Sequence, residues 1–178
     1  MEPDRPSACL AELTDAAKNW LAIDGLWFLA VEKKFGLDAA IAFDKEVWEQ
    51  FSIIEARRIM ARLGLPENGG LDALERALHY RLFGLVNDQE VLRPDPGTVM
   101  YRMKSCRTQD ARDRKGLPPF PCKVVGIVDH RSFARTIDPR IVTECISCPP
   151  DPAVPGLTCS WRFTMAREGV PDTTKKKP

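Results

Sequence analysis

Apolar residues recur every three to four positions from Ala8 to Leu85, and nearly every second position in parts of the chain beyond. Leu10, Leu13, Ala17, Trp20, Leu21, Trp27 and Phe28 predict a helix over Ala8 to Ala30. Thr14-Asp15 can cap a break in it, and Gly25 can bend it. Gly36, after Glu32-Lys33-Lys34-Phe35, fits a helix C-terminus. Ile41, Val47, Trp48, Phe51, Ile54, Ile59 and Leu63 form the apolar stripe of a second helix from Leu37 to Leu63, closed by Gly64 with Pro66 just beyond. Leu71, Leu74, Leu78, Leu82 and Leu85 predict a third helix. Asp88 to Pro96 reads as a connector.

The period then changes. Val99 to Cys106 alternates as a strand does, and so do Arg140 to Ser147 and Leu157 to Met165. Arg107 to Lys115 and Val124 to Ala134 are short helix candidates, and a loop with prolines at 149, 150, 152 and 155 joins the last two strands. The fold class is therefore α+β: a helical half (1–93), an antiparallel half (94–167) and a disordered tail (168–178), integrated in one domain.

At 178 residues and 20.0 kDa the chain has the size of one domain. Lys+Arg is 26 against Asp+Glu 25, a net charge of +1, which argues against nucleic-acid binding through bulk positive charge. The longest apolar run, Leu26 to Val31, falls far short of the ~20 residues a membrane helix needs. The N-terminus MEPDRPSACL has no basic-then-apolar leader pattern, so a cytoplasmic location is expected.

In that compartment clustered cysteines point to metal or chemistry rather than disulfides. Five of the six cysteines follow residue 105. Cys145 and Cys148 form a C-x2-C pair, whose sulfurs can converge on one ion. Cys159 returns beside them if the two flanking strands pair antiparallel, and Cys122 ends a Pro-rich turn. Four thiolates suit a closed structural zinc site, with Lys123 or Arg140 offsetting its charge; an iron–sulfur cluster takes the same four ligands. Cys106, between Lys104 and Arg107, is a candidate reactive thiol, since neighbouring cations lower a thiol's pKa. Cys9 reads as incidental.

The aromatic residues Trp20, Trp27, Phe28, Phe35, Trp48 and Phe51 fit a core or the wall of a pocket for a small apolar ligand. Asp24, Glu32 and Glu55 lie nearest the apolar faces; a carboxylate driven into such a face could serve as an acid or base, while the plainer reading pairs it with Arg57 or Arg58. His79 reads as a surface residue and His130 as a pocket or core group. Hydrolase elbow, zinc-protease, P-loop and dinucleotide signatures are all missing from the sequence.

The run FPCKVVGIVDHRSFARTIDPRIVTECISCPPD, followed by TCSWRF, is similar to the end of the 4-vinyl reductase domain, found in phenol-sensing activators. The resemblance spans about residues 99–165. It implies an α+β fold, a ligand cavity between helices and sheet, and a zinc on Cys122, Cys145, Cys148 and Cys159, with Cys145 standing where the sensors have Glu. The same run resembles the L-2-amino-thiazoline-4-carboxylic acid hydrolase-like group, and GLWFLAVEKKFGLDAAIAFDKEVWEQFSIIEARR looks like an uncharacterised prokaryotic cytosolic family near it, over about residues 15–165. This implies hydrolysis of a C–N or C–S bond in a small heterocycle, with Cys106, Asp24, Glu32 or Glu55 as the reactive group. The apolar N-terminal helices could also bury a homodimer surface, as the resembled proteins often do.

Overall fold

The computed structural model describes residues 5–166. Helix α1 (Arg5–Phe35) and helix α2 (Leu37–Leu63) are joined by a single residue, Gly36, at φ 87°, a conformation that favours glycine. The chain folds back there, so that Trp20 of α1 meets Trp48 and Phe51 of α2. Helix α3 (Gly70–Leu78) and a 3-10 turn (Leu82–Leu85) lead to strands β1 (Gln89–Asp95) and β2 (Thr98–Met103). Then come α4 (Arg107–Asp113), α5 (Lys123–Ile137), β3 (Ile141–Ser147) and β4 (Cys159–Met165). The sheet is antiparallel throughout, in the order β1-β2-β4-β3.

Helix α5 is the centre of the packing, lying against both α2 and β3. One core takes residues from both halves: Ala56, Ile59 and Leu74 from the helices meet Val99, Phe133, Trp161 and Phe163. Trp161 crosses α5 at Gly126, where an added Cβ would come within 2.7 Å of the indole ring. Only glycine allows that approach.

The α+β class stands, with several differences in detail. Helix α1 runs unbroken through Thr14-Asp15 and Gly25. The third helix stops at Leu78, because Arg81 turns into the core. The expected connector is an edge strand, β1, which tolerates Pro94 at a register shift between Leu92 and Asp95, where no ladder bond is needed. Strand β2 ends at Met103, and Cys106 instead precedes α4. The α2 stripe is split: Trp48 and Ile59 are buried, but Val47 and Ile54 are exposed. The tail 168–178 lies outside the described residues.

Arg81, 1% exposed, is the buried cation of this core. Its Nε donates to Glu55 of α2 at 2.9 Å, and its Nη2 to Asp129 of α5 at 2.6 Å. Glu55 also accepts from the Leu82 backbone N–H at 3.1 Å, and Asp129 from Ser52 Oγ at 2.6 Å. The guanidinium lies over the rings of Phe83 and Phe133. Arg81→Met strands two buried carboxylates and is expected to cost about 3–5 kcal/mol in urea unfolding. Arg162→Ala breaks only the exposed pair with Glu144 and is expected to cost about 1 kcal/mol or less. Equal losses would mean that the Arg81 charge does not tie these elements together.

Candidate functional site: an acid-lined cavity beside a thiol cluster

A cavity of about 490 Å³ opens between α1, α2, α4, α5 and the β2–β4 end of the sheet. Phe28, Trp48, Phe83, Phe120 and Trp161 supply aromatic walls. Phe28 and Phe120 meet edge to face at 5.0 Å, and Trp48 stacks on Phe83 at 5.4 Å. Polar groups reach the cavity from three helices: Asp24 from α1, Asp44 from α2, Asp129 and His130 from α5. Burial pushes Asp24 up to about 6. Burial, and then the nearby Asp24, push Asp44 up to about 7, against a hydrogen bond from Trp48.

Asp129 behaves in the opposite way. Burial alone would raise it, but the Arg81 guanidinium holds it below the usual carboxylate range. Next to it, burial pushes His130 down to about 4. Arg81 Nη1 stands 3.1 Å from His130 Nδ1. Arginine can only donate, so Nδ1 accepts and the neutral ring carries its proton on Nε2. The His130 ring also packs 4.5 Å from Trp161.

The thiols gather at one end of the cavity for a topological reason. β3 and β4 pair antiparallel, with Ser147 opposite Ser160, so Cys148 and Cys159 follow at the same end of the ladder. The register shift between Cys145 and Ser147 lies just before them. Cys122 is brought in at the start of α5, where the Lys123 N–H donates to the Pro149 carbonyl and Lys123 Nζ pairs with Asp151 at 2.8 Å. The Cys148 thiol hydrogen bonds to Cys122 and to Cys159 and is held protonated. That bond pulls Cys159 below the usual thiol range. Cys145, raised by burial, also bonds to Cys148. Gln109 donates to the Cys122 sulfur at 2.9 Å and to the Phe120 carbonyl. Cys106, Cys122, Cys148 and Cys159 all line the cavity. All six cysteines are free thiols, and among the described residues no three His, Cys, Asp or Glu side chains converge as the ligands of one metal ion do.

The reactive candidates fare differently. Asp24 faces the cavity with the raised pKa expected of a carboxyl on an apolar wall. Glu32 is held by a two-pronged pair with Arg112 at 2.8 and 3.1 Å. Glu55 is paired as well, with Arg81; Arg57 and Arg58 are exposed. Cys106 lines the cavity, but burial pushes its thiol up to about 11, so the activation expected from Lys104 and Arg107 is corrected. Lys104 points away to Glu90, and Arg107 is exposed. Trp27 and Phe35, read as core or pocket aromatics, are exposed, as is His79. Sequence reasoning missed Asp44, Asp129 and Gln109. Asp44 had a signal, one helical turn before Trp48 on the same face.

Fold and site together define an α+β domain that carries an acid- and thiol-walled cavity between a helical hairpin and an antiparallel sheet. The chain belongs to a family of unknown function (DUF6125), whose model matches residues 6–165. No curated protein and no solved structure matches it. No helix among the described residues is long and apolar enough to cross a membrane.

Asp44 holds its proton more tightly folded than unfolded. Between the ordinary aspartate value, about 3.9, and about 7, the folded chain binds more protons, so this group removes stability as pH rises through that window. Asp44→Asn is expected to exceed wild type at pH 8 by about 1–2 kcal/mol, a figure reduced for partial solvent access. The two proteins should match at pH 4. Thermal melts across this range check it, and a pH-independent difference would count against a titrating Asp44.

Proposed function

We propose that this chain binds a small, largely apolar molecule in the cavity, beside a structural zinc held by Cys122, Cys145, Cys148 and Cys159. The cavity is the observation that carries the reading. Its volume falls within the ~300–1,000 Å³ of small-molecule sites, and its walls are apolar with a few inward polar groups. The resemblance to the 4-vinyl reductase domain supports the same reading. Four cysteines are the donor type of a thiolate metal, and Cys122, Cys148 and Cys159 line the same cavity, although among the described residues the thiols are not drawn around one point. Four thiolates would close the site, so the zinc would stabilise the junction of α5 with the β3–β4 loop rather than turn over substrate. Six free thiols accord with a reducing, cytoplasmic setting.

A hydrolytic role on a small heterocycle rests on the protonated carboxyls in the cavity. Asp24 is the strongest of the four sequence candidates, because Glu32 and Glu55 are spent in ion pairs and Cys106 stays a thiol. Asp44 joins it as a second group able to give or take a proton near neutrality.

One preparation, purified without air and without added metal, tests both parts. One equivalent of zinc is expected, lost in Cys148→Ser together with several degrees of melting temperature. A neutral aromatic probe, 2-phenylethanol, is expected to quench the cavity tryptophans in a saturable way. A brown protein carrying iron and sulfide would replace zinc with the iron–sulfur alternative. Metal-free protein would remove the zinc, and absence of saturable quenching would remove the cavity reading.

The outer face of α1 and α2 leaves large apolar side chains uncovered: Ile23, Leu26 and Trp27 on α1, Phe43, Val47 and Ile54 on α2, all 45–69% exposed. Along α1, Ile23, Trp27 and Ala30 are exposed at three-four spacing, that of a helix-packing seam. Leu10, Leu13 and Phe35 are further exposed apolar side chains of α1. Nothing among the described residues covers this face. We propose that a second copy of the chain does. Sedimentation is expected to show a dimer, and Trp27→Glu with Val47→Glu a folded monomer. A monomeric wild type at about 100 μM, well above the range of a standard interface, would dismiss the dimer.

A further inference from the structure

Asp24 and Asp44 face one cavity from two different helices. Among the described residues neither has a cation partner: burial alone acts on Asp24, and burial, Asp24, Trp48 and Asp129 act on Asp44. The neighbouring buried group adds no surplus positive charge. Glu55 and Asp129 share the single Arg81, and His130 is neutral, so that group carries a net charge of −1. The cations that line the cavity are engaged or at its solvent side. Lys18 pairs with Asp15 and Arg112 with Glu32, while Arg107, Arg114 and Lys115 are exposed on and just after α4. The lining around Asp24 and Asp44 is therefore acidic and aromatic, with no counter-charge paired to either acid among the described residues.

Trp161, 1% exposed, forms a wall of the same cavity, and its indole N–H meets the Cys159 sulfur. The rings of Phe28, Trp48 and Phe120 complete the surroundings that favour a cation: π faces attract a positive charge, and low-dielectric walls strengthen its pairing with a carboxylate.

We propose that the cavity selects an organic cation, a protonated amine on an apolar or aromatic body, seated between Asp24 and Asp44 with its body against Phe28, Trp48 and Phe120. This rests on the reading of the cavity as a ligand site and names the charge of what enters it. A bound ammonium supplies the partner that both carboxyls lack and favours their ionised forms. An anionic ligand would meet the acids of α1 and α2 and is disfavoured at the inner end; a neutral one leaves both acids as they are.

Three matched probes decide it: 2-phenylethylamine, 2-phenylethanol and phenylacetate, titrated against the full chain by calorimetry and tryptophan quenching at pH 5 and pH 8. All three keep one charge state over this range, whereas Asp24 (about 6) and Asp44 (about 7) pass from mostly protonated to mostly ionised. The amine is expected to bind about ten-fold or more tighter than the alcohol at pH 8, with most of that advantage gone at pH 5. Asp24→Asn with Asp44→Asn should abolish the advantage of amine over alcohol measured within that variant, and a circular-dichroism spectrum and melt like those of wild type show that the variant is folded. Alcohol binding equal to amine binding, or tighter phenylacetate binding, would overturn the cation preference while leaving the cavity reading intact. An amine advantage that survives the double substitution would overturn the assignment to these acids. Binding of none of the three would overturn both readings.

Discussion

Arg81 is the charge on which the arrangement turns. It lies between α3 and β1, with no exposed surface of its own to retreat to, and it engages carboxylates from α2 and α5 together. Taking such a group out of water costs several kcal/mol unless every donor is met. Glu55, Asp129 and His130 accept its N–H groups, and the rings of Phe83 and Phe133 cover its faces. The pairing fixes where α3 must stop and how α5 lies on α2. It also sets the ionisation of the cavity floor, because the same guanidinium holds Asp129 charged and, with burial, keeps His130 neutral.

The cavity follows from that framework. α5 is anchored to α2 at Asp129 and crossed by Trp161 at Gly126, and the cavity opens between its first turns and α1. The space left is lined by side chains from four helices and two strands. Asp24 and Asp44 sit there at a thermodynamic cost, half out of water, near each other and unpaired. An arrangement of this kind lowers the stability of the empty protein and is restored by a ligand of the right charge, a familiar exchange between stability and binding. The thiol group closes the other end, where the β3–β4 ladder and the α5 N-terminus meet.

Much of this was legible along the chain. Gly36 and Gly64 delimit α2 as their positions suggest, and the antiparallel return that sets Cys159 beside Cys148 follows from two alternating runs around a proline loop. The metal role of these thiols remains a proposal; their proximity is a matter of strand pairing. β1 was hidden because Pro94 and Pro96 mask a short edge strand whose identity comes from its partner β2. The end of α3 was hidden because Leu82 and Leu85 continue its spacing, while the event that ends it, Arg81 entering the core, depends on two carboxylates distant in sequence. Glu55 could be seen as paired, but not with which arginine, since Arg57 and Arg58 are nearer in the chain and Arg81 is nearer in space.

The same confusion of near and far explains the α2 stripe. Val47 and Ile54 belong to it by periodicity, yet they face outward, while Asp44, Ser52 and Glu55 face in. Helical spacing reports that a face is covered; it does not say by what. In the α1–α2 hairpin the usual polarity is partly inverted, with carboxylates toward the interior and Trp27, Phe43 and Val47 toward the outside. Inward acids are useful where something charged enters, and outward aromatics where something apolar covers them. On the inside Asp24 and Asp44 line the cavity, and on the outside these apolar side chains are uncovered among the described residues.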